Sequence, residues 1–355
     1  MKTPLVSIIT ATHNSEKYID RCLSSIMDQK LTNWELIVID DYSSDNTVKR
    51  VEEFMKGDSR IRLVKHAKNW GARNLHKIYN QALTLSKGKY VAMLEGDDWW
   101  SINKLECQLK DFKDKKVILS YGDAVLTNAN GVPVKLISYS GKQNMLNNTP
   151  VPNILEKFAD FNFFFVVSSL MLRRETLVNM GGFRSSSIIP FFDFPTWYEL
   201  SLRGTFRHNR NILAYYRRHK HSSWVDVAKD SDAMLRSEMQ RMYWEFIRKN
   251  QVFLEKKGFN INKESLITQQ KKAVSKRKKN KNFSLFMNAI LYEDSQALRK
   301  AARYALVDER DGRGVGLSRK MFILTILFLG PFKSSLLVGY FYIQYFFYSL
   351  RKLLS

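Results

Sequence analysis

The chain of 355 residues carries 57 Lys and Arg against 34 Asp and Glu, a net charge of +23, with 45% hydrophobic and 13% aromatic residues. It is too long and too apolar for a disordered basic tail, and its length suits two domains. Cys22 and Cys107 form neither a disulfide framework nor a metal-ligand spacing, and an apolar stretch of about six residues near the start is too short for a signal peptide or a span, so secretion is not expected.

Residues 6–10 (VSIIT) read as a buried strand, and Ser15 as the cap of a helix with apolar or small positions at Ile19, Cys22, Leu23 and Ile26. Residues 34–39 (WELIVI) give a second strand, and Asp45 caps a helix running through Val48, Val51 and Phe54 to Gly57. A third strand over 61–64, a helix from about Ala72 to Leu85 and a fourth strand over 90–94 (YVAML) follow. Strand and helix in alternation predict an α/β domain with a parallel sheet covered on both faces. Ligands bind such sheets outside the carboxyl ends of the strands. There the chain places Thr10 to His13 and Asn14, then Asp40, Asp41, Tyr42 and Ser43, then Glu95, Gly96, Asp97 and Asp98. Buried carboxylates need partners, so three successive polar strand ends point to a ligand site. The run 95–98 can bring hard oxygen ligands to Mg²⁺ or Mn²⁺, ions that also hold substrate phosphates. A turn anchored by Trp99 and Trp100, with the acids capping a helix near Ser101, is the plainer use of the same residues. Neither a P-loop nor a dinucleotide fingerprint is present.

The basic excess is concentrated at the carboxyl end. Residues 1–225 hold 32 basic and 22 acidic side chains, and residues 226–355 hold 25 and 12. Residues 271–281 (KKAVSKRKKNK) contain seven Lys or Arg and no acid. Residues 321–329 (MFILTILFL) and 336–350 (LLVGYFYIQYFFYSL) are each shorter than the ~20 residues of a spanning helix, and Tyr340, Tyr342, Tyr345 and Tyr348 suit a headgroup boundary. A solvated basic helix face and a buried helix hairpin are the plainer readings. Basic charge beside an aromatic apolar tail favours a membrane surface over nucleic acid.

The motifs VSIITATHNSEKYIDRCLSSIMDQ, WELIVIDDYSSDNT and WGARNLHKIYNQALTLSKGKYVAMLEGDDWW, with LAYYRRHKHSS downstream, resemble a family-2 glycosyltransferase of the GT-A fold, of the bacterial capsule and surface-polysaccharide type. The likeness runs from about Val6 to Ser222. It implies a mixed, mostly parallel sheet flanked by helices as a catalytic domain over 1–225. A mainly α-helical basic region over 226–355, with membrane-associating segments at 321–350, would follow.

In such relatives Thr10 and Asp41 would hold the nucleotide base, Arg73 would lie near the nucleotide, and Asn14 would join them at the first strand end. Glu95, in place of the commoner Asp, would contact the ribose. Asp97 would bind the divalent cation, with Asp98 able to share that role. The base that takes the acceptor's proton would be Asp193, after Gly181-Gly182-Phe183, with Glu199 in reserve; Asp193 also suits a helix cap. Arg217, His219 and His221 would lie near the departing diphosphate, His219 as a metal ligand, although an edge-strand surface cluster accounts for them equally well.

The resemblance therefore implies inverting transfer of one sugar from a nucleotide-diphosphate sugar to a hydroxyl of a lipid-linked or oligosaccharide acceptor, with Mn²⁺ or Mg²⁺. The enzyme would be cytoplasmic and peripheral at the inner face of the membrane, with no nucleic-acid partner. A sugar-nucleotide pyrophosphorylase should open with a Gly-rich loop, and residues 10–14 contain no glycine. A nucleic-acid-binding protein would use the basic carboxyl third but would meet repulsion from the acidic strand ends.

Overall fold

The structure is a computed structural model that describes residues 3–139, 165–185, 192–222 and 232–258, with Leu155 and Phe158. The elements run β1 (Val6–Thr12), α1 (Ile19–Met27), β2 (Trp34–Asp40), α2 (Thr47–Gly57), β3 (Ile61–Lys65), α3 (Leu75–Leu85), β4 (Tyr90–Met93), β5 (Trp99–Trp100), α4 (Lys104–Asp111), β6 (Val117–Thr127) and β7 (Pro133–Ile137). After them come a 3₁₀ turn (Val167–Ser169), β8 (Met171–Arg173), α5 (Arg174–Asn179), α6 (Asp193–Ser201), β9 (Thr205–Arg217), α7 (Asp232–Lys249) and α8 (Gln251–Lys256).

Every residue of β1, β2 and β4 is buried. That pattern belongs to strands covered on both faces, and it explains why they read as apolar runs. Ile19, Cys22, Leu23 and Ile26 form the buried stripe of α1, which packs on α2 and β5, while α3 packs on β1 and β2. The sheet order is β3-β2-β1-β4-β8-β6-β9-β5, with β7 beside β6. Pairing is parallel across β3, β2, β1 and β4, and antiparallel at β4–β8, β6–β8 and β5–β9. The expected mixed sheet is therefore present, its parallel part lying at the amino-terminal strands.

Parallel register gathers the polar strand ends. Thr12 pairs with Asp40, so β1 and β2 stop together. Beyond β4 the main chain stays beside β1, Leu94 N–H donating to Ile9 O at 3.0 Å and Gly96 N–H to Ala11 O at 3.0 Å. A side chain at Gly96 would bring its Cβ to 2.6 Å from Thr12 Oγ1, so this approach requires glycine.

Two compact units make up the chain: Met1–Ala124 with Ser138–Tyr216 and Ser223–Leu266, and Val125–Ile137 with Arg217–Ser222 and Ile267–Ser355. Ser223–Leu266 straddles the boundary expected at 225–226 and belongs to the first unit. Within that unit α7 packs on α6, Tyr198 meeting Tyr243 and Phe246 at ring separations of 5.8 and 5.5 Å. The basic run 271–281 and the apolar runs 321–329 and 336–350 lie outside the described residues. No described helix is long and apolar enough to cross a membrane.

Candidate active site

The acids at the end of β2 are consumed by the protein itself. Asp40 accepts from Ser43 N–H at 2.9 Å and from Ser43 Oγ at 2.5 Å. Asp41 Oδ1 accepts from His66 Nδ1 and from Trp70 N–H, and Oδ2 from Gly71 N–H, all at 2.8 Å. His66 is buried, lies 2.7 Å from Gln81 Oε1 through Nε2 and stacks on Trp70 at 4.0 Å. Asp41 thus shapes the loop 66–71. A carboxylate offers about four acceptor positions, and three are filled here.

Asn14 continues this edge from a positive φ of 48°, its N–H donating to Ser43 Oγ and its Oδ1 accepting from Ser44 N–H. Thr10 is wholly buried, and its Oγ1, like that of Thr12, has no hydrogen-bond partner. Arg73 is exposed in the 3₁₀ turn Ala72–Asn74 that leads into α3.

The acids beyond β4 are placed differently. Glu95 is half-buried and accepts from the Tyr79 hydroxyl. Burial pushes its carboxyl up to about 8; the Tyr79 bond opposes the rise, and the charges of Asp97 and Asp193 add to it. Asp97 is half-buried, whereas Asp98 is 1% exposed and accepts from Ser168 Oγ at 2.5 Å. The outward carboxylate of the pair is Asp97.

Asp193 opens α6 as its first residue, preceded by Phe192. Burial raises its carboxyl to about 6 against the opposing bond from its own N–H. The approach to this helix is pinned by Asn80, whose Oδ1 accepts from Phe183 N–H at 2.7 Å and whose Nδ2 donates to Phe183 O at 2.9 Å. Gly182 has φ 85°, and a Cβ there would meet Asn80 Oδ1 at 2.2 Å, which explains the glycine. Tyr79 links the two acidic positions by packing on Phe192 and Phe183 with ring separations of 4.9 and 5.5 Å. Glu199, on the same helix, is paired with Arg203 at 3.1 Å.

Arg217, His219 and His221 belong to the second unit. There Arg217 Nη1 donates to Ala129 O at 2.7 Å, His219 N–H donates to Ser222 Oγ at 3.0 Å, and His219 Nδ1 accepts from His221 N–H at 3.3 Å.

Among the described residues no three His, Cys, Asp or Glu side chains are gathered as a metal cage. The donor set instead suits a hard cation held by one carboxylate, water and substrate phosphate, the mode usual for Mg²⁺. Asp97, half-buried beside Glu95, fits that part.

Sequence reasoning overlooked Tyr79 and Ser168. Tyr79 carries the ordinary signal of an apolar helix position, and Ser168 lies within the apolar string FFFVVSSLML, where no pattern marks it.

Comparison with known proteins agrees with the motifs. The model of the family described as Glycosyl transferase family 2 matches residues 7–177. TuaG of Bacillus subtilis, described as a candidate glycosyltransferase of teichuronic acid biosynthesis, is 30% identical over 219 residues, which cover 60% of this chain and 79% of TuaG. The Escherichia coli UDP-Glc:alpha-D-GlcNAc-diphosphoundecaprenol beta-1,3-glucosyltransferase WfgD is 39% identical over 134 residues, 38% of this chain and 51% of WfgD. The crystal structure of S. aureus TarS 1-349 in complex with UDP-GlcNAc superposes with a TM-score of 0.51 at 18% identity, covering 84% of this chain and 90% of that one. At that identity the likeness speaks for the fold alone. From the family match, the extent of the likeness to TuaG and the shared architecture, the chain belongs to glycosyl transferase family 2 and is a glycosyltransferase of the GT-A fold.

Proposed function

We propose that this glycosyltransferase moves one sugar, with inversion, from a uridine-diphosphate sugar to a hydroxyl of a lipid-linked glycan during cell-surface polysaccharide synthesis. The observation that carries the reading is the placement of the acids: Asp41, Glu95 and Asp97 lie beyond the carboxyl ends of β2 and β4, and Tyr79, bonded to Glu95, packs on Phe192 next to Asp193. Asp193, raised to about 6, is poised as a base near neutral pH. Its carboxylate takes the acceptor hydroxyl's proton as that oxygen attacks the anomeric carbon. The carbon–oxygen bond to the diphosphate breaks on the opposite face, and its electron pair leaves with UDP. No covalent enzyme intermediate is needed.

Glu95 receives the ribose hydroxyls, and the unpartnered Thr10 Oγ1 with the remaining acceptor position of Asp41 faces the base. Arg73 lies near the nucleotide. Asp97 holds Mn²⁺ or Mg²⁺ together with the donor's diphosphate. The cation would offset the charge that develops on the departing diphosphate.

The acceptor class is supported by relatives: WfgD and WfaP of Escherichia coli are both named for alpha-D-GlcNAc-diphosphoundecaprenol. A lipid-borne acceptor fits attachment at the cytoplasmic membrane face through the basic and aromatic residues 271–281 and 321–350. Flotation on anionic vesicles tests this by comparing the full chain with one ended after Gly258, which keeps α7; equal binding would refute it.

A panel of nucleotide sugars incubated with and without Mn²⁺, read as release of the nucleoside diphosphate, tests the donor. Release from a uridine-diphosphate sugar that depends on Mn²⁺ is expected. Full turnover by Asp97→Ala or Asp193→Ala would remove the role given to that residue.

A further inference from the structure

A buried hydroxyl bridges the two ends of the acidic turn 95–98, beside the main-chain bonds from Gly96 N–H to Ala11 O and from Asp98 N–H to Glu95 O. Ser168, wholly inaccessible, accepts from Glu95 N–H at 3.1 Å and donates to Asp98 Oδ2 at 2.5 Å. One side chain therefore ties the first residue of the turn to the last. Alanine at this position would take the acceptor from the buried Glu95 N–H and remove one donor from the buried Asp98 carboxylate.

Ser168 is itself fixed from behind. The three consecutive carbonyls of Ser168, Ser169 and Leu170 are each taken by a different side chain: Trp100 Nε1 at 2.7 Å, Gln108 Nε2 at 3.0 Å and Lys104 Nζ at 3.2 Å. Lys104 and Gln108 stand four residues apart on α4, so they share a face, and Lys104 Nζ donates to Gln108 Oε1 at 2.6 Å, which orients the amide. The amine also lies 4.2 Å from the centre of the Trp100 ring.

Lys104 is fully buried and its hydrogen-bond partners are neutral. A buried amine with no carboxylate beside it is a poor choice for packing alone, since an apolar side chain of similar volume would serve without the desolvation cost. Its geometry makes sense as part of a frame for the backbone of 168–170.

We propose that Ser168 is a positioning residue, locked by Trp100, Gln108 and Lys104, which sets the pose in which the turn presents Asp97 to the donor's diphosphate and its cation. The proposal rests on the metal-assisted reading above. Groups that orient metal ligands change metal affinity about 10–100-fold when removed.

The test uses the full chain and two independent measurements on Ser168→Ala, with Trp100→Phe as a milder variant that keeps the ring and removes the donor. Amide hydrogen exchange of the peptide spanning 93–98 reads the turn without any ligand. Faster exchange at Glu95 in Ser168→Ala is expected, with Gly96, bonded to Ala11, unchanged and the melting temperature lowered by a few degrees at most. Calorimetric titration of Mn²⁺ in the presence of UDP reads the consequence. A half-saturation raised about 10–100-fold in Ser168→Ala, and less in Trp100→Phe, is expected. Unchanged Glu95 exchange overturns the proposal, as does unchanged Mn²⁺ half-saturation. A general rise in exchange across the chain with a lowered melting temperature also overturns it, because that is the mark of a purely structural serine. If wild-type UDP binding ignores Mn²⁺, the metal-assisted reading fails, and the exchange measurement still decides whether Ser168 holds the turn.

Discussion

Two acidic turns follow β2 and β4, the strands on either side of β1 in one sheet, and they use their carboxylates in opposite ways. After β2, Asp40 and Asp41 accept five hydrogen bonds between them, from Ser43 N–H and Oγ, His66, Trp70 N–H and Gly71 N–H. After β4, burial pushes the Glu95 carboxyl up to about 8, with the Tyr79 bond opposing the rise and the charges of Asp97 and Asp193 adding to it. The first turn is held by the protein's own donors, with one acceptor position of Asp41 left for the base. The second concentrates negative charge that a bound cation would relieve, as expected where binding energy is reserved for a substrate.

The comparison predicts a clean exchange of phenotypes. Asp193→Asn keeps the size of the side chain and removes the base, so kcat should fall about 10²–10⁴-fold with UDP affinity nearly unchanged, measured by UDP release. Asp41→Ala should act on stability. It strands the donors of His66, Trp70 and Gly71 in a buried place, and breaking such a pair costs about 3–5 kcal/mol. Urea unfolding of Asp41→Ala beside Asp97→Ala reads the contrast, the latter shifting by less than about 1 kcal/mol because Asp97 is half-open. Equal losses in the two variants would erase the distinction between the turns.

The pH dependence sharpens the same contrast. Asp193 acts as its carboxylate, so kcat/KM should rise with pH through about 6 and level off above it, and Asp193→Asn should lose that limb. Glu95 affects stability with the opposite sense. Its folded value of about 8 lies above its ordinary value of 4.5, so between these the native state binds more protons than the unfolded chain, and stability falls as pH rises across that window. Glu95→Gln keeps an acceptor for Tyr79 and removes the titration. Its melting temperature relative to wild type should therefore climb from pH 5 to pH 8, and a constant difference would contradict the raised value.

The sequence showed the strands plainly where burial makes them apolar and lost them where function makes them polar. Residues 6–10 and 34–39 read as strands, whereas β1 and β2 continue to Thr12 and Asp40, past the last apolar residue. Asp45 was expected as the N-cap of α2; the cap position is Asn46, and Asp45, one residue earlier, accepts from Thr47 N–H at 2.9 Å. Ser15 was expected to cap α1 with its hydroxyl. Instead its carbonyl accepts from Tyr18 and Ile19 N–H, and the helix begins at Ile19. The site's location followed from the topology rule, but the division of labour among its acids could not, because Asp41 and Asp97 are alike in sequence and differ only in what folds around them. Lys104 was least legible. A lysine is read as solvated, and only the packed frame of 168–170 reveals its burial.

The smallest effect concerns Tyr42, in the turn after β2. It follows Asp41 with φ 66°, a left-handed conformation that disfavours a bulky side chain, yet it is 55% exposed and gains little from burial. Such strain costs about 1 kcal/mol or more and persists where the surroundings impose it. Asparagine tolerates this conformation, so Tyr42→Asn should raise stability by about 0.5–1 kcal/mol in urea unfolding. If the ring is retained because it meets the donor's nucleotide, the same variant should bind UDP several-fold more weakly. A gain in stability with unchanged UDP binding would assign Tyr42 to holding the turn of Asp40 and Asp41 alone, whereas a gain with weaker binding would make it a further point where that turn faces the substrate.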